Sequence, residues 1–136
     1  MAQSGVRATG HCLCGAVAYE VRGLLRDVVI CHCTQCRRAH GHLGAYSRTS
    51  RADLTMTEAR GLKWYQSSEE ARRGFCQECG ANVFWESLDD LVSIAAGTID
   101  EPTGLKTLRH IFVADKGDYY EIEDGLEHLP QGQGLS

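Results

Sequence analysis

Seven cysteines in three tight groups carry most of the chemistry this sequence offers. The groups are Cys12-Leu13-Cys14-Gly15, Cys31-His32-Cys33-Thr34-Gln35-Cys36 and Cys76-Gln77-Glu78-Cys79-Gly80. Zinc takes four tetrahedral ligands, and thiolates are common structural ones. A Cys-x-x-Cys turn delivers two sulfurs to one ion, and a glycine after the second cysteine lets the backbone turn tightly. The first and third groups share that Cys-Gly ending, whereas the middle group runs into Arg37-Arg38. Cys12, Cys14, Cys76 and Cys79 are therefore read as one closed structural zinc site. It would clamp the N-terminal strand to a segment 62 residues further along, from Cys14 to Cys76. Its binding energy would count as folding energy.

Cys31, Cys33 and Cys36 remain, and three protein ligands with an open fourth position are the pattern of a catalytic zinc. Three thiolates donate much charge, so water bound there should be less acidic than on a zinc held by three histidines. A substrate thiol suits the position better, because sulfur matches the soft ligand set and a coordinating thiol loses its proton. The product is an activated thiolate at neutral pH. Arg37 and Arg38, next in sequence, are read as substrate-binding cations that draw in an anion. The alternative reading is a non-catalytic, zinc-stabilised binding module, in which His32, His40 or His42 completes the middle shell. A redox Cys33-x-x-Cys36 is a weaker reading, because no βαβ pattern surrounds it. Hydrolysis by zinc-bound water lacks a nameable general base. Arg37 and Arg38 could equally lie on a solvated helix face. His110, opening an apolar strand, reads as a structural histidine, and Trp64, Tyr65, Phe84 and Trp85 read as core.

The elements that must position these groups read as short strands. The chain has 136 residues, 43% hydrophobic and 24% charged, with a formal net charge of -4. This is the balance of one soluble globular domain. A nucleic-acid partner is not favoured at that charge. The N-terminal residues show no apolar signal-peptide core, and no apolar run reaches the length of a membrane span. The expected compartment is the cytoplasm, where thiols stay reduced. Strands are expected at 16–21, 27–30, 62–65, 82–86, 91–96, 110–113 and 118–122, separated by glycine turns. Thr34 would cap a short helix ending at Gly41, and Glu69–Arg73 would add one helical turn. Residues 1–10 read as a polar lead-in and 131–136 as a frayed tail.

At the cysteines the chain resembles the glutathione-dependent formaldehyde-activating family, which includes the centromere protein V domain. The resemblance rests on Cys12-x-Cys14-Gly15, Cys31-His32-Cys33-x-x-Cys36-Arg37 and Cys76-x-x-Cys79-Gly80 in that order. Tyr65-Gln66-Ser67-Ser68, Arg73-Gly74-Phe75-Cys76, Gly97-Thr98-Ile99-Asp100 and His110-Ile111-Phe112-Val113 look like the family as well. The resemblance covers residues 9–125, leaving 1–8 and 126–136 as tails. It implies a mainly β, Mss4-like fold of short antiparallel sheets organised around two zinc ions per chain. The family's structural zinc motif falls on Cys12, Cys14, Cys76 and Cys79, and its catalytic zinc motif on Cys31, Cys33 and Cys36. The implied activity is that of a carbon–sulfur lyase resembling S-(hydroxymethyl)glutathione synthase. Its partner would be a small-molecule thiol such as glutathione, joined to or released from formaldehyde.

Overall fold

A computed structural model of the protein describes residues 5–132; the remainder of the expected lead-in, 1–4, and of the expected tail, 133–136, lies outside the described residues. Strands β1 (Ala8–His11), β2 (Ala18–Val21) and β3 (Val28–Cys31) lead into helix α1 (Thr34–His40). Strands β4 (Gly44–Ser50), β5 (Leu54–Glu58), β6 (Leu62–Gln66), β7 (Arg72–Cys76), β8 (Asn82–Glu86) and β9 (Leu91–Ala95) follow. Strands β10 (Thr107–Ile111) and β11 (Glu127–His128) complete the order. The mainly β architecture expected from the sequence is what forms.

The strands make two sheets, ordered β1-β2-β5 and β11-β10-β3-β4-β9-β8-β7-β6. Most pairs are antiparallel, as the short strands and glycine turns anticipate, but β10 runs parallel to both β3 and β11. The large sheet is therefore mixed. The core lies where the small sheet covers the β8–β9 region of the large one. Val17, Tyr19 and Val21 pack there with Val83, Phe84, Val92 and Ile94. The Tyr19 and Phe84 rings meet tilted at 60°, their centroids 5.4 Å apart, a geometry aromatic pairs favour. Gly10 leaves room for the side chain of its β2 partner Tyr19, because a Cβ there would lie 2.2 Å from the Tyr19 hydroxyl oxygen. That hydroxyl bonds the Thr98 Oγ1 at 2.8 Å.

Several local expectations need correction. Residues 118–122 form no strand. Their β-prone tyrosines are instead used as side-chain hydrogen-bonding groups, Tyr119 to His42 and Tyr120 to His32. Glu69–Arg73 is not helical, and Arg72 and Arg73 begin β7, where they pair with Gln66 and Tyr65. The helix from Thr34 forms, but its cap is Cys33, whose sulfur accepts the Cys36 N–H at 3.3 Å. Gly41 ends it in the left-handed conformation, φ 79°, returning its N–H to the Arg37 carbonyl. Strands β1, β4, β5, β7 and β11 were not anticipated. Of the aromatic residues expected in the core, Phe84 is buried and Tyr65 is exposed.

Candidate metal centre and cleft

The loop between β1 and β2 carries Cys12 and Cys14, and the β7–β8 turn carries Cys76 and Cys79. All four sulfurs lie within 4.8 Å of one another. Cys12 and Cys14 are 3.8 Å apart, and Cys14 and Cys76 3.7 Å. A regular tetrahedron of zinc–sulfur bonds of about 2.3 Å has edges of about 3.8 Å, so the donor set fits zinc. Gly15 (φ 86°) and Gly80 (φ 81°) are both left-handed, which is the freedom the two Cys-Gly endings imply. Backbone N–H groups support the sulfurs: Val17 donates to Cys12 at 3.3 Å and Cys79 to Cys76 at 3.4 Å. The Cys79 thiol is pulled down to about 6, chiefly by the backbone N–H groups of Ala81 and Cys14.

Cys31 ends β3, Cys33 caps α1 and Cys36 lies in its first turn, so one strand–helix junction brings three sulfurs within 4.8 Å of one another. The Cys33 thiol is held well below its ordinary range, first by hydrogen bonds from the Cys31 and Cys36 thiols. No histidine or carboxylate among the described residues joins these three. His32 turns its ring to Tyr120 and to His110. His40 bonds the Tyr46 hydroxyl through Nε2 at 2.6 Å, and His42 bonds Tyr119. The middle set thus offers an ion three protein ligands, and the donor set suits zinc.

The three cysteines stand at the wall of a cleft of about 410 Å³, within the range of small-molecule sites, about 300–1,000 Å³. Val29, Tyr46, Trp85, Ile111 and Phe112 supply apolar wall, and Arg26, Arg48 and Arg73 supply positive charge against a single carboxylate, Asp115. Burial and the neighbouring Arg48 and Arg109 pull the Arg26 guanidinium down to about 10, so it stays charged at neutral pH. Arg73 is only 7% exposed. Its guanidinium donates to the Tyr46 hydroxyl at 3.4 Å, to Gln35 Oε1 at 3.5 Å and to Cys36 Sγ at 3.8 Å. No carboxylate among the described residues pairs with it. A buried cation requires compensation, which the cysteine sulfurs beside it would provide as thiolates with a metal ion bound. Burial keeps the Tyr46 phenol protonated well above its ordinary range.

The two arginines singled out in the sequence lie elsewhere. Arg37 is outside the residues that wall the cleft, and its buried Nε has no hydrogen-bond partner among the described residues. Arg38 is exposed and lines an adjoining groove of about 430 Å³, which Arg73 also borders. Adjacency in sequence pointed to Arg37 and Arg38. Arg26, Arg48 and Arg73 arrive from distant strands, so no local spacing could reveal them. Only the segment Arg73-Gly74-Phe75-Cys76 had drawn notice.

The family model for glutathione-dependent formaldehyde-activating enzymes matches residues 7–115, most of the chain and all seven cysteines. The chain belongs to that family. No curated protein matches it. The crystal structure of a Rhodobacter sphaeroides protein is similar, with a TM-score of 0.61 and 25% identity over 73% of this chain and 97% of that one. The family member described here keeps both thiol clusters that could hold zinc. No helix among its described residues is long and apolar enough to cross a membrane.

Proposed function

We propose that this protein is a cytoplasmic, zinc-dependent carbon–sulfur lyase that makes or cleaves the adduct of a small anionic thiol, such as glutathione, with an aldehyde. The observation that carries this reading is the three-sulfur set opening on a cationic cleft, with no fourth protein ligand among the described residues. In the family, this class of chemistry is glutathione-dependent formaldehyde activation. Cys12, Cys14, Cys76 and Cys79 would hold the structural zinc, and Cys31, Cys33 and Cys36 the catalytic one. Zinc on the three sulfurs supplies a centre at which a substrate thiol ionises at neutral pH.

The chain's own residues supply the rest. Arg73 lies against Cys36 and balances negative charge at the sulfurs. Arg26 and Arg48, further along the cleft wall, attract the carboxylates of the thiol. Arg38, at the adjoining groove, adds to that field, and Arg37 supports the same helix. When the C–S bond forms, sulfur gives its electron pair to the carbonyl carbon and the π pair moves to oxygen, which then needs a proton. The Tyr46 hydroxyl, bonded by His40 and Arg73, stands on that wall and supplies it. Elimination runs the same transfers backwards: the adduct's hydroxyl proton passes to the Tyr46 oxygen as the phenol hands its own proton to His40 Nε2, 2.6 Å away.

The decisive experiment is X-ray absorption of the zinc protein with and without a thiol substrate. One added sulfur scatterer is expected at the three-thiolate ion, and no change in sulfur coordination sinks the reading. Cys36→Ser should lose one zinc of two while the fold survives; global unfolding would make the site structural. Tyr46→Phe should lower kcat about 100-fold, the scale of a lost general acid, with KM little changed. An undiminished kcat removes Tyr46 from the mechanism.

A further inference from the structure

At the far edge of the large sheet, outside the cleft, His110, Asp124 and His128 each present one ligand atom within 4.8 Å of the others. We infer that these three residues form a third metal site, a two-histidine, one-carboxylate centre for a first-row divalent cation such as zinc. The strands dictate the arrangement. His110 on β10 and His128 on β11 are direct cross-strand partners in the parallel pair. Asp124 lies four residues before His128, in the turn that leads into β11. His110 Nε2 is 2.7 Å from Asp124 Oδ2, and His128 Nε2 is 4.0 Å from Asp124 Oδ1. Nitrogen and oxygen ligands about 2.0–2.1 Å from a tetrahedral ion stand about 3.3–3.4 Å apart, and the two separations straddle that value. The groups that must adjust, the Asp124 carboxylate and the His128 ring, are 44% and 37% exposed; Asp124 Oδ1 accepts the Leu126 N–H at 3.0 Å, and the His128 ring meets His110 edge-on.

The ligand that must stay fixed is the buried one. His110 is 4% exposed, and its second ring nitrogen, Nδ1, lies 2.9 Å from Nε2 of His32, which is 1% exposed. The opposite nitrogen of His32 bonds the Tyr120 hydroxyl. Metal-binding histidines nearly always use their other nitrogen in such a bond, which fixes the ring and raises its basicity. With Nε2 turned to an ion, His110 Nδ1–H donates to His32 and His32 Nδ1–H donates to Tyr120, so each bond keeps one proton. Without an ion, His110 Nε2 hydrogen-bonds the Asp124 carboxylate, and a bound cation would take the place of that proton. The remaining coordination positions face solvent. An ion here would pin the 116–128 segment to β10, directly before Ile111, Phe112 and Asp115 of the cleft wall.

The test compares the full zinc-loaded chain with His128→Ala and Asp124→Asn at micromolar free zinc, by equilibrium dialysis and X-ray absorption. Both substitutions fall on exposed side chains and leave His110, His32 and all seven cysteines in place. The expected result is an extra zinc with nitrogen and oxygen neighbours in the wild type. Its affinity should fall at least about 10-fold in either variant, with sulfur-bound zinc unchanged. Two results overturn the site: no ion with nitrogen and oxygen ligands in the wild type, or one that persists undiminished in both variants. Because sulfur-bound zinc is read separately, neither result bears on the lyase reading.

Discussion

At the scale of single residues, Arg73 is the side chain whose surroundings demand the most explanation. Its guanidinium is buried, touches Cys36, Tyr46 and Gln35, and meets no carboxylate among the described residues. Hydrogen bonds to charged groups are worth about 1.5–3 kcal/mol, so Arg73→Met should lower kcat/KM for an anionic thiol by about 10- to 100-fold. Arg73→Lys should restore only part of that loss, since an ammonium lacks the planar fork. Steady-state kinetics with zinc content measured in parallel check this; unchanged kcat/KM in the Met variant at full zinc would rule Arg73 out. The cysteines were legible in the sequence because metal ligands on a knuckle sit close together and a glycine marks the turn in the first and third groups. Arg73 was not, because its role is created by a strand pairing that brings β7 near α1, and no spacing encodes that.

At the scale of elements, the same contrast appears between α1 and the 118–122 segment. The helix was readable because its stop signal is local: Gly41 adopts the left-handed turn that ends it. The tyrosine pair at 119–120 has strand propensity, yet its hydroxyls are claimed by His42 and His32, and tertiary contact overrides the local preference. The parallel β3–β10 pair was also invisible, since its partners are remote in sequence. A stability prediction belongs here. Gly61 precedes β6 and takes the Ala16 carbonyl with its N–H. A Cβ at Gly61 would lie 2.8 Å from both the Cys76 sulfur and the Ala16 Cβ. Overpacking of this kind costs about 1–3 kcal/mol. Gly61→Ala should therefore melt lower by calorimetry and give up its four-sulfur zinc faster to a chelator. An unchanged melting temperature would mean that the cage can shift to make room.

At the scale of the molecule, an ion in the four-sulfur cage would cross-link the two sheets. Cys12 and Cys14 follow β1 of the small sheet, and Cys76 and Cys79 bracket the β7–β8 turn of the large one. The three-sulfur set lies within one strand–helix junction and joins nothing distant. With zinc loaded at both sets as proposed, chelation should proceed in two stages: the open three-thiolate ion leaves first with native circular dichroism retained, and the cage ion leaves second with cooperative unfolding. Simultaneous loss of both ions with the fold would contradict this division.

The spacing of these two sets along the polypeptide bears on how the protein is made. Synthesis proceeds from the N-terminus, so Cys12, Cys14, Cys31, Cys33 and Cys36 are all available before Cys76 exists. A zinc ion that arrives in that interval meets five sulfurs and can close a wrong cage from Cys12, Cys14 and two of the middle three. The native partition is reached only when the β7–β8 hairpin arrives to reclaim the first pair. Refolding of the full chain with zinc present should therefore show a slow phase that disappears when Cys31, Cys33 and Cys36 are replaced by serine, a difference that stopped-flow fluorescence would register.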